Sequence, residues 1–325
     1  MAKPTVYITR NLPEKGEHLL KQAGYDVQVN QHPRALKPEE LAKAASDCDA
    51  MICLLSDKIT KELMDAAPRC RMYANYAVGY DNMDVAAATA KDVRLSNTPD
   101  VLSIATAEMA WSLIFAAARR LGEGERMMRN GDFHGWEPLM LVGSEITGKT
   151  LGIIGAGRIG TAMGRMAQGF AMRILYTKNS GTNGELDAIG GRRVDLDELL
   201  RESDIVSIHA PLTASTRHMI GAAQFPLMKP TAILVNTGRG PVIDEAALAI
   251  ALAEKTIAAA GLDVYEREPA VESGLLKLDN VILAPHLGSA TIEARTQMAE
   301  LAARNVIDFL SGKTPRTCIN PPKTT

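Results

Sequence analysis

A glycine turn between an apolar strand and a helical segment constrains the fold of this chain more than any other feature. Residues 150–160 read Thr-Leu-Gly-Ile-Ile-Gly-Ala-Gly-Arg-Ile-Gly, and a helical pattern follows over residues 161–170. In this pattern Gly155 permits a tight turn, Gly157 lets the backbone approach a pyrophosphate, and Gly160 lets helix and strand pack closely. The helix N-terminus adds unpaired N–H groups and a partial positive charge. The segment therefore predicts a dinucleotide-binding unit.

Short apolar strands alternate with helical stretches on both sides of the glycine turn, which predicts parallel sheets built from βαβ units. Helices are expected over Ser103–Arg129, which is long and apolar, over Ala222–Leu227, and over Ile292–Leu310 near the end. We therefore predict an α/β protein with two doubly wound parallel-sheet domains, in which a Rossmann dinucleotide-binding domain is inserted into a flavodoxin-like substrate domain. The expected bounds are residues 101–287 for the dinucleotide-binding domain and residues 1–100 plus 288–325 for the substrate domain.

Composition and charge argue against several other classes of function. The 325 residues carry a formal net charge of −2 without a basic block, so we expect no nucleic-acid or membrane partner. No apolar run approaches the ~20 residues that a membrane-spanning helix needs, and the first residues read as a strand instead of a signal peptide. The four cysteines form no C-x-x-C pair, which favours thiols in a reducing compartment. We expect a cytoplasmic protein without a bound metal.

The loop after the second strand of the dinucleotide unit bears on the choice of cofactor. In an NAD-binding unit, a carboxylate about 20 residues past the glycine turn accepts hydrogen bonds from the ribose hydroxyls. Here the strand over Arg173–Thr177 is followed by Lys178-Asn179-Ser180, with no carboxylate. For a 2′-phosphate, Lys178 supplies a positive charge, and Thr177, Asn179 and Ser180 supply donors. We therefore expect NADPH to be preferred and NADH to be possible; the alternative is a solvated loop with one surface lysine.

Three later segments each place a polar functional residue just after a buried strand, namely Arg239, Glu268 and His286. The ends of parallel strands meet at one edge of a sheet, so these side chains can converge there. An arginine can clamp a carboxylate, a histidine can act as a general acid, and a carboxylate can orient that histidine. The alternatives are a surface ion pair, a structural histidine, and, for Glu268, a solvated carboxylate beside Glu266 and Arg267.

Taken together, these segments make nearly the whole chain resemble the D-isomer-specific 2-hydroxyacid dehydrogenases, and within them the glyoxylate/hydroxypyruvate reductases. The resemblance implies NAD(P)H-dependent reduction of small 2-oxo acids, such as glyoxylate to glycolate and hydroxypyruvate to D-glycerate, with a histidine as general acid. The segments that carry the resemblance are Asn75–Asn82, Gly155–Gly160, His209–Thr213, Val235–Gly240, Asp263–Pro269 and Pro285–Ser289.

The resemblance also implies roles for individual residues. Arg239 would bind the substrate carboxylate and polarise the 2-oxo group, His286 would protonate the ketone oxygen, and Glu268 would hold His286 protonated. The backbone N–H groups of Val78 and Gly79 would form a nest for the carboxylate. Two further substrate contacts would be Leu55, as a wall of the pocket, and Trp136, from a partner subunit. The expected cofactor contacts are Thr106, Gly155, Gly157, Arg158, Ile159, Thr177, Lys178, Asn179, Ala210, Pro211, Thr237 and Asp263, the last at the nicotinamide carboxamide.

The resemblance implies a subunit partner but leaves the substrate and the class of function open. The helix over Ser103–Arg129 matches the dimer contact of the family, so the resemblance implies a homodimer. Larger sugar acids such as 2-oxogluconate stay open as substrates, because the sequence does not give the width of the pocket. From another class, a non-catalytic dinucleotide-sensing protein similar to the corepressors with this fold would need a peptide-binding surface, and often has disordered extensions that this sequence does not show.

Overall fold

The computed structural model describes residues 3–322, which form two units, each built on one parallel sheet. Unit 1 contains the described residues up to Leu102 and from Ala290 onward, and unit 2 is Ser103–Ser289. The strands are β1 Thr5–Ile8, β2 Asp26–Val29, β3 Ala50–Cys53, β4 Met72–Asn75, β5 Arg94–Ser96, β6 Thr150–Ile154, β7 Arg173–Thr177, β8 Arg192–Arg193, β9 Ile205–Ile208, β10 Ile233–Asn236, β11 Ala259–Leu262 and β12 Val281–Leu283. The α-helices are α1 Glu14–Gln22, α2 Pro38–Ser46, α3 Lys61–Ala66, α4 Val85–Ala90, α5 Ser103–Ala118, α6 Leu121–Asn130, α7 Arg158–Ala167, α8 Gly184–Ala188, α9 Leu196–Glu202, α10 Glu245–Ala253 and α11 Ile292–Leu310.

The sheet of unit 1 has the strand order β2-β1-β3-β4-β5, which is the flavodoxin-like order. Its inner strands β3 and β4 are buried at every position, as parallel strands covered by helices on both faces should be. Helix α11 packs against α1, β3 and β4. A Cβ on Gly16 of α1 would lie 2.8 Å from the carbonyl oxygen of Ala299, so α1 and α11 approach more closely than a side chain permits.

The sheet of unit 2 has the strand order β12-β11-β10-β9-β6-β7-β8, with every pair parallel. Counted from β6, this is the Rossmann order 3-2-1-4-5-6 with β12 added at one edge. The predicted α/β class with two doubly wound parallel sheets is therefore confirmed. Among the described residues, no helix combines the length and the apolar character needed to cross a membrane.

The structure corrects two predicted helices. The expected single helix over Ser103–Arg129 is two helices, because Arg120 has a left-handed φ of 51° and the Ala118 carbonyl accepts the N–H of Ser144 at 2.8 Å. The segment Ala222–Leu227 holds only a 3₁₀ turn at its end, since proline has no N–H to continue an α-helical ladder. The short elements α4, α8 and β8 were not predicted from the sequence.

Candidate active site

The glycine turn lies at the carboxyl end of β6 and leads into α7, with Gly157 as the N-cap residue. Gly155 has a φ of 95°, and a Cβ there would lie 2.6 Å from the backbone nitrogen of Ala210. A Cβ on Gly160 would lie 2.6 Å from the Gly155 carbonyl oxygen, so helix and strand pack too closely for a side chain. A Cβ on Gly157 would meet no atom within 4 Å. The turn thus leaves open space at the residue that a phosphate would approach.

A cavity of about 260 Å³ opens beside the glycine turn. Its walls are residues 154–157, 177–180 and 209–211, together with Thr216 and Met219. The predicted cofactor residues that line it are Gly155, Gly157, Thr177, Lys178, Asn179, Ala210 and Pro211. The predicted cofactor residues outside its lining are Thr106, Arg158, Ile159, Thr237 and Asp263. The cavity joins the glycine turn to the loop after β7, the two segments that contact the pyrophosphate and the adenosine ribose in a Rossmann unit.

Asn183 connects the loop after β7 to the glycine turn. Its side-chain Nδ2 donates to the Ala156 carbonyl at 3.0 Å and to the Thr161 Oγ1 at 2.7 Å. Its Oδ1 accepts the first N–H groups of α8. The end of the 177–182 loop that is farther from β7 is therefore held against the glycine turn.

Two cationic side chains lie at this loop. Lys178 donates from Nζ to the Thr182 carbonyl at 2.9 Å, and Arg193 donates from Nη2 to the Lys178 carbonyl at 3.0 Å. Arg193 reaches the loop because β8 pairs with β7, where it stands opposite Tyr176. Arg193 is not predicted from the sequence, since the two-residue strand that carries it has no recognisable pattern. Residues 177–183 contain no carboxylate.

His209 also lines the cavity. The sequence predicts no role for it, although it belongs to one of the segments that carry the family resemblance. Its Nε2 lies 2.9 Å from the Ser207 Oγ, and its Nδ1 lies 3.2 Å from the Thr237 Oγ1. Burial lowers the pKa of His209 to about 3, so the ring is neutral at pH 7. Its position directly after β9, the neighbour of β6, is the feature that could have identified it.

His286 and Glu268 form a hydrogen-bonded pair, with 2.9 Å between the histidine Nδ1 and the glutamate Oε2. The other glutamate oxygen accepts the N–H of Tyr265 at 3.0 Å. Burial raises the pKa of Glu268. This effect is outweighed by the hydrogen bond and charge of His286, the Tyr265 N–H and the charge of Arg239, so the net pKa lies below the ordinary value. Both side chains are about 37% exposed. Glu268 is therefore ionised at pH 7, and both side chains are accessible to a ligand.

The backbone at His286 has a left-handed φ of 57°, which is uncommon for a residue with a side chain. Asp263 holds this turn, because its Oδ1 accepts the Leu287 N–H at 2.6 Å and its Oδ2 accepts the Gly288 N–H at 2.7 Å. Burial raises the pKa of Asp263, and these two N–H groups offset only part of that effect. Asp263 therefore fixes the direction in which the imidazole of His286 leaves the chain.

Arg239 follows β10 in a turn that Asn236 stabilises. The Asn236 Nδ2 donates to the Arg239 carbonyl at 2.9 Å, and its Oδ1 accepts the Gly238 N–H at 3.0 Å. Arg239 itself donates from Nη1 to the Gly238 carbonyl at 2.9 Å. The structure thus brings Glu268 and His286 into contact and puts the charge of Arg239 close enough to influence Glu268.

The predicted substrate residues of unit 1 follow two neighbouring strands. Leu55 lies in the loop after β3, and Val78 and Gly79 lie in the loop after β4. All three are partly buried. In unit 2, the predicted partner-subunit contact Trp136 lies in the loop after α6 and is 78% exposed.

Comparison with known proteins assigns the chain to a family. The model of the D-isomer specific 2-hydroxyacid dehydrogenase NAD binding domain matches residues 111–288. The chain belongs to this dehydrogenase family. The resemblance predicted from the sequence is therefore confirmed, and the Rossmann unit of this dehydrogenase is the part that the family model describes.

Relatives match the dehydrogenase over nearly its whole length. A glyoxylate reductase from Thermococcus onnurineus is 49% identical over 322 residues, which cover 98% of this chain and 96% of the relative. The structure of a glyoxylate reductase from Paecilomyes thermophila is 32% identical, with a TM-score of 0.87 and coverage of 98% and 99% of the two chains. An NADPH-dependent glyoxylate/hydroxypyruvate reductase from Sinorhizobium meliloti, in complex with NADP and malonate, is 30% identical, with a TM-score of 0.86 and coverage of 100% and 99%.

Proposed function

We propose that this dehydrogenase uses NADPH to reduce glyoxylate to glycolate and hydroxypyruvate to D-glycerate. The observation that carries the proposal is the His286–Glu268 hydrogen bond of 2.9 Å in a chain 49% identical to a glyoxylate reductase. Reduction of a ketone needs a hydride at carbon and a proton at oxygen. When bound, the dinucleotide supplies the hydride, and a histidine paired with a carboxylate is suited to supply the proton.

In this proposal each side chain has one task. His286 donates the proton from Nε2, since its Nδ1 faces Glu268, and the Glu268 carboxylate orients the imidazole through this hydrogen bond. Arg239 binds the substrate carboxylate and polarises the 2-oxo group. The N–H groups of Val78 and Gly79 bind the same carboxylate. Leu55 is the apolar wall of the pocket.

Seven of the residues proposed to hold the cofactor line the cavity beside the glycine turn. Asp263 keeps free lone pairs for the nicotinamide carboxamide after accepting two backbone N–H groups. The full set proposed for the cofactor is Thr106, Gly155, Gly157, Arg158, Ile159, Thr177, Lys178, Asn179, Ala210, Pro211, Thr237 and Asp263.

An assay of nicotinamide absorbance with purified protein, NADPH and a panel of 2-oxo acids tests the activity. We expect turnover of glyoxylate and hydroxypyruvate, and His286→Ala should lower kcat by a factor of about 10²–10⁴, the usual contribution of a general acid. Faster turnover of 2-oxogluconate than of the small acids would favour the sugar-acid alternative. Dinucleotide binding without turnover of any 2-oxo acid would contradict the proposal and favour a sensor.

The preference for NADPH is supported by the cations at the loop after β7. Removing Lys178 should weaken NADPH alone, because NADH has no 2′-phosphate for it to bind. We expect Lys178→Ala to lower kcat/KM for NADPH about tenfold, the effect of one hydrogen bond to a charged group, and to leave NADH unchanged. Lys277→Ala, at an exposed lysine outside the cavity, is the matched control. A wild-type preference for NADH above tenfold would contradict this part of the proposal.

We also propose a homodimer formed through α6 and the loop after it, in the cytoplasm. The support is a set of exposed apolar side chains that a monomer would leave in water, and the four free cysteines are compatible with a reducing compartment. Light scattering should give a dimer for the wild type and a monomer for Leu139→Glu; a monomeric wild type would contradict the proposal. In the dimer Trp136 would reach the partner's pocket. The exposed side chains are Leu121 (62%), Met128 (62%), Trp136 (78%), Leu139 (87%) and Val142 (60%).

A further inference from the structure

We propose that Asn97 is a positioning residue that aims the N–H of Gly79 at the substrate carboxylate. The inference rests on the proposed function, in which the N–H groups of Val78 and Gly79 bind that carboxylate. Asn97 lies directly after β5, in a different loop from the residues that it would orient.

The geometry of the peptide bond carries the inference. Asn97 donates from Nδ2 to the Val78 carbonyl at 2.7 Å. In a planar trans peptide the C=O and N–H point in opposite directions, so holding this carbonyl directs the Gly79 N–H away from Asn97. In the same way, the backbone N–H of Thr98 donates to the Ala77 carbonyl at 2.8 Å and sets the direction of the Val78 N–H. Within residues 3–322, neither N–H donates to another group of the protein, so both can serve a ligand.

The next peptide group is fixed as well. Asn75 donates from Nδ2 to the Gly79 carbonyl at 2.8 Å, and also lies 3.2 Å from the Oδ1 of Asn82. Asn75 and Asn82 are buried. The carbonyls of residues 77, 78 and 79 are therefore all occupied by donors from the protein. Such a turn presents its N–H groups without having to rearrange when an anion arrives.

Asn97 is held in place from the C-terminal part of unit 1. Its carbonyl accepts the Thr317 Oγ1 at 2.6 Å and the Asn305 Nδ2 at 3.4 Å. Asn305 is fully buried on α11 and also donates to the Thr317 Oγ1 at 2.7 Å. Since Val78 is partly exposed, water could have satisfied its carbonyl. Because the Asn97 backbone is anchored by Asn305 and Thr317, its side chain instead selects one orientation of the peptide group.

Steady-state kinetics of Asn97→Ala with NADPH test the proposal. We expect the KM for glyoxylate and the inhibition constant of oxalate to rise about tenfold, which is the effect of losing one well-aimed hydrogen bond to a charged group. The kcat should change less than the KM, because the contact exists before and during the reaction. Asn97→Gln, which keeps the amide donor on a longer stem, should recover part of the loss.

Asn320→Ala is the matched control, because Asn320 also donates to a backbone carbonyl of unit 1, that of Val93 at 2.8 Å, at the opposite end of β5. It should lower the melting temperature and leave the KM and the oxalate constant unchanged. If Asn97→Ala does not fold, Asn97→Ser provides the same measurement with a smaller change. Active variants of Asn97 with wild-type KM and oxalate constants would overturn the positioning role of Asn97 alone, whereas a wild type that reduces no 2-oxo acid would overturn the proposed function.

Discussion

The neutral imidazole of His209 should make the stability of this dehydrogenase depend on pH in a way that one substitution removes. Burial lowers the pKa of His209 to about 3 in the folded protein, whereas a histidine in an unfolded chain has a pKa of about 6.5. Between these values the unfolded chain binds a proton that the folded protein does not. The contribution of the neutral His209 to the free energy of unfolding is therefore fully present above pH 6.5, and it is lost as pH falls from 6.5 towards 3.

The size of the effect follows from the two pKa values. Between pH 7 and pH 5, protonation of the unfolded chain at this one site lowers the free energy of unfolding by about 2 kcal/mol. His209 is partly exposed to the cavity, and solvent there would bring the folded pKa closer to its ordinary value. A folded pKa that is higher by about one unit changes this free-energy difference at pH 5 by only about 0.05 kcal/mol. The window from pH 7 to pH 5 therefore gives a firm expectation.

Urea unfolding of cofactor-free wild type and His209→Asn at pH 7 and pH 5 measures this difference. Ionisable groups common to both proteins cancel, so the stability of the wild type relative to the variant should fall by about 2 kcal/mol on acidification. His134→Asn is the matched control, since His134 is exposed in a loop and its removal should not change the pH dependence. A wild-type-minus-variant difference that stays constant within about 0.5 kcal/mol would refute the reasoning.

Two further predictions concern the His286 turn and its carboxylate partner. Asp263→Asn should lower the free energy of unfolding of cofactor-free protein by about 1–3 kcal/mol. The asparagine oxygen can accept only one of the two N–H groups, so the N–H of Leu287 or Gly288 would face the amide NH2 group, which cannot accept it. Urea unfolding measures this, and unchanged stability would contradict the assigned contacts. Glu268→Gln should lower kcat for glyoxylate about tenfold, the effect of losing one hydrogen bond to a charged group, since the glutamine amide lacks the carboxylate charge that holds the His286 Nδ1 at 2.9 Å. An unchanged kcat would separate Glu268 from the proton transfer.

The features that the sequence predicts well are those whose requirements are local or fixed by strand order. Gly155 needs its positive φ and Gly160 its close contact because of the turn they share, and both were recognised from an eleven-residue stretch. Glu268 and His286 follow β11 and β12, which are neighbours in the sheet. The strand-end rule was therefore sufficient to bring the two side chains together.

The features that the sequence does not give depend on contacts between loops that are distant along the chain. Arg193 reaches the loop after β7 only through the register of a two-residue strand. Asn97 reaches Val78 only because β4 and β5 are adjacent. The break between α5 and α6 depends on the hydrogen bond that Ser144 makes to Ala118. No local pattern marks any of these contacts, so periodicity and motif spacing do not reveal them.

In both units an asparagine amide from another loop binds the carbonyl that precedes a glycine at a proposed anion site. Asn183 binds the Ala156 carbonyl ahead of Gly157, and Asn97 binds the Val78 carbonyl ahead of Gly79. The consequences differ, because the Gly157 N–H donates to a carbonyl within its own turn, so Asn183 shapes the turn, whereas Asn97 leaves a donor free for a ligand. An amide suits both places: an aspartate of the same shape could not donate to a carbonyl when ionised, and its charge would repel the anion that each site is proposed to bind.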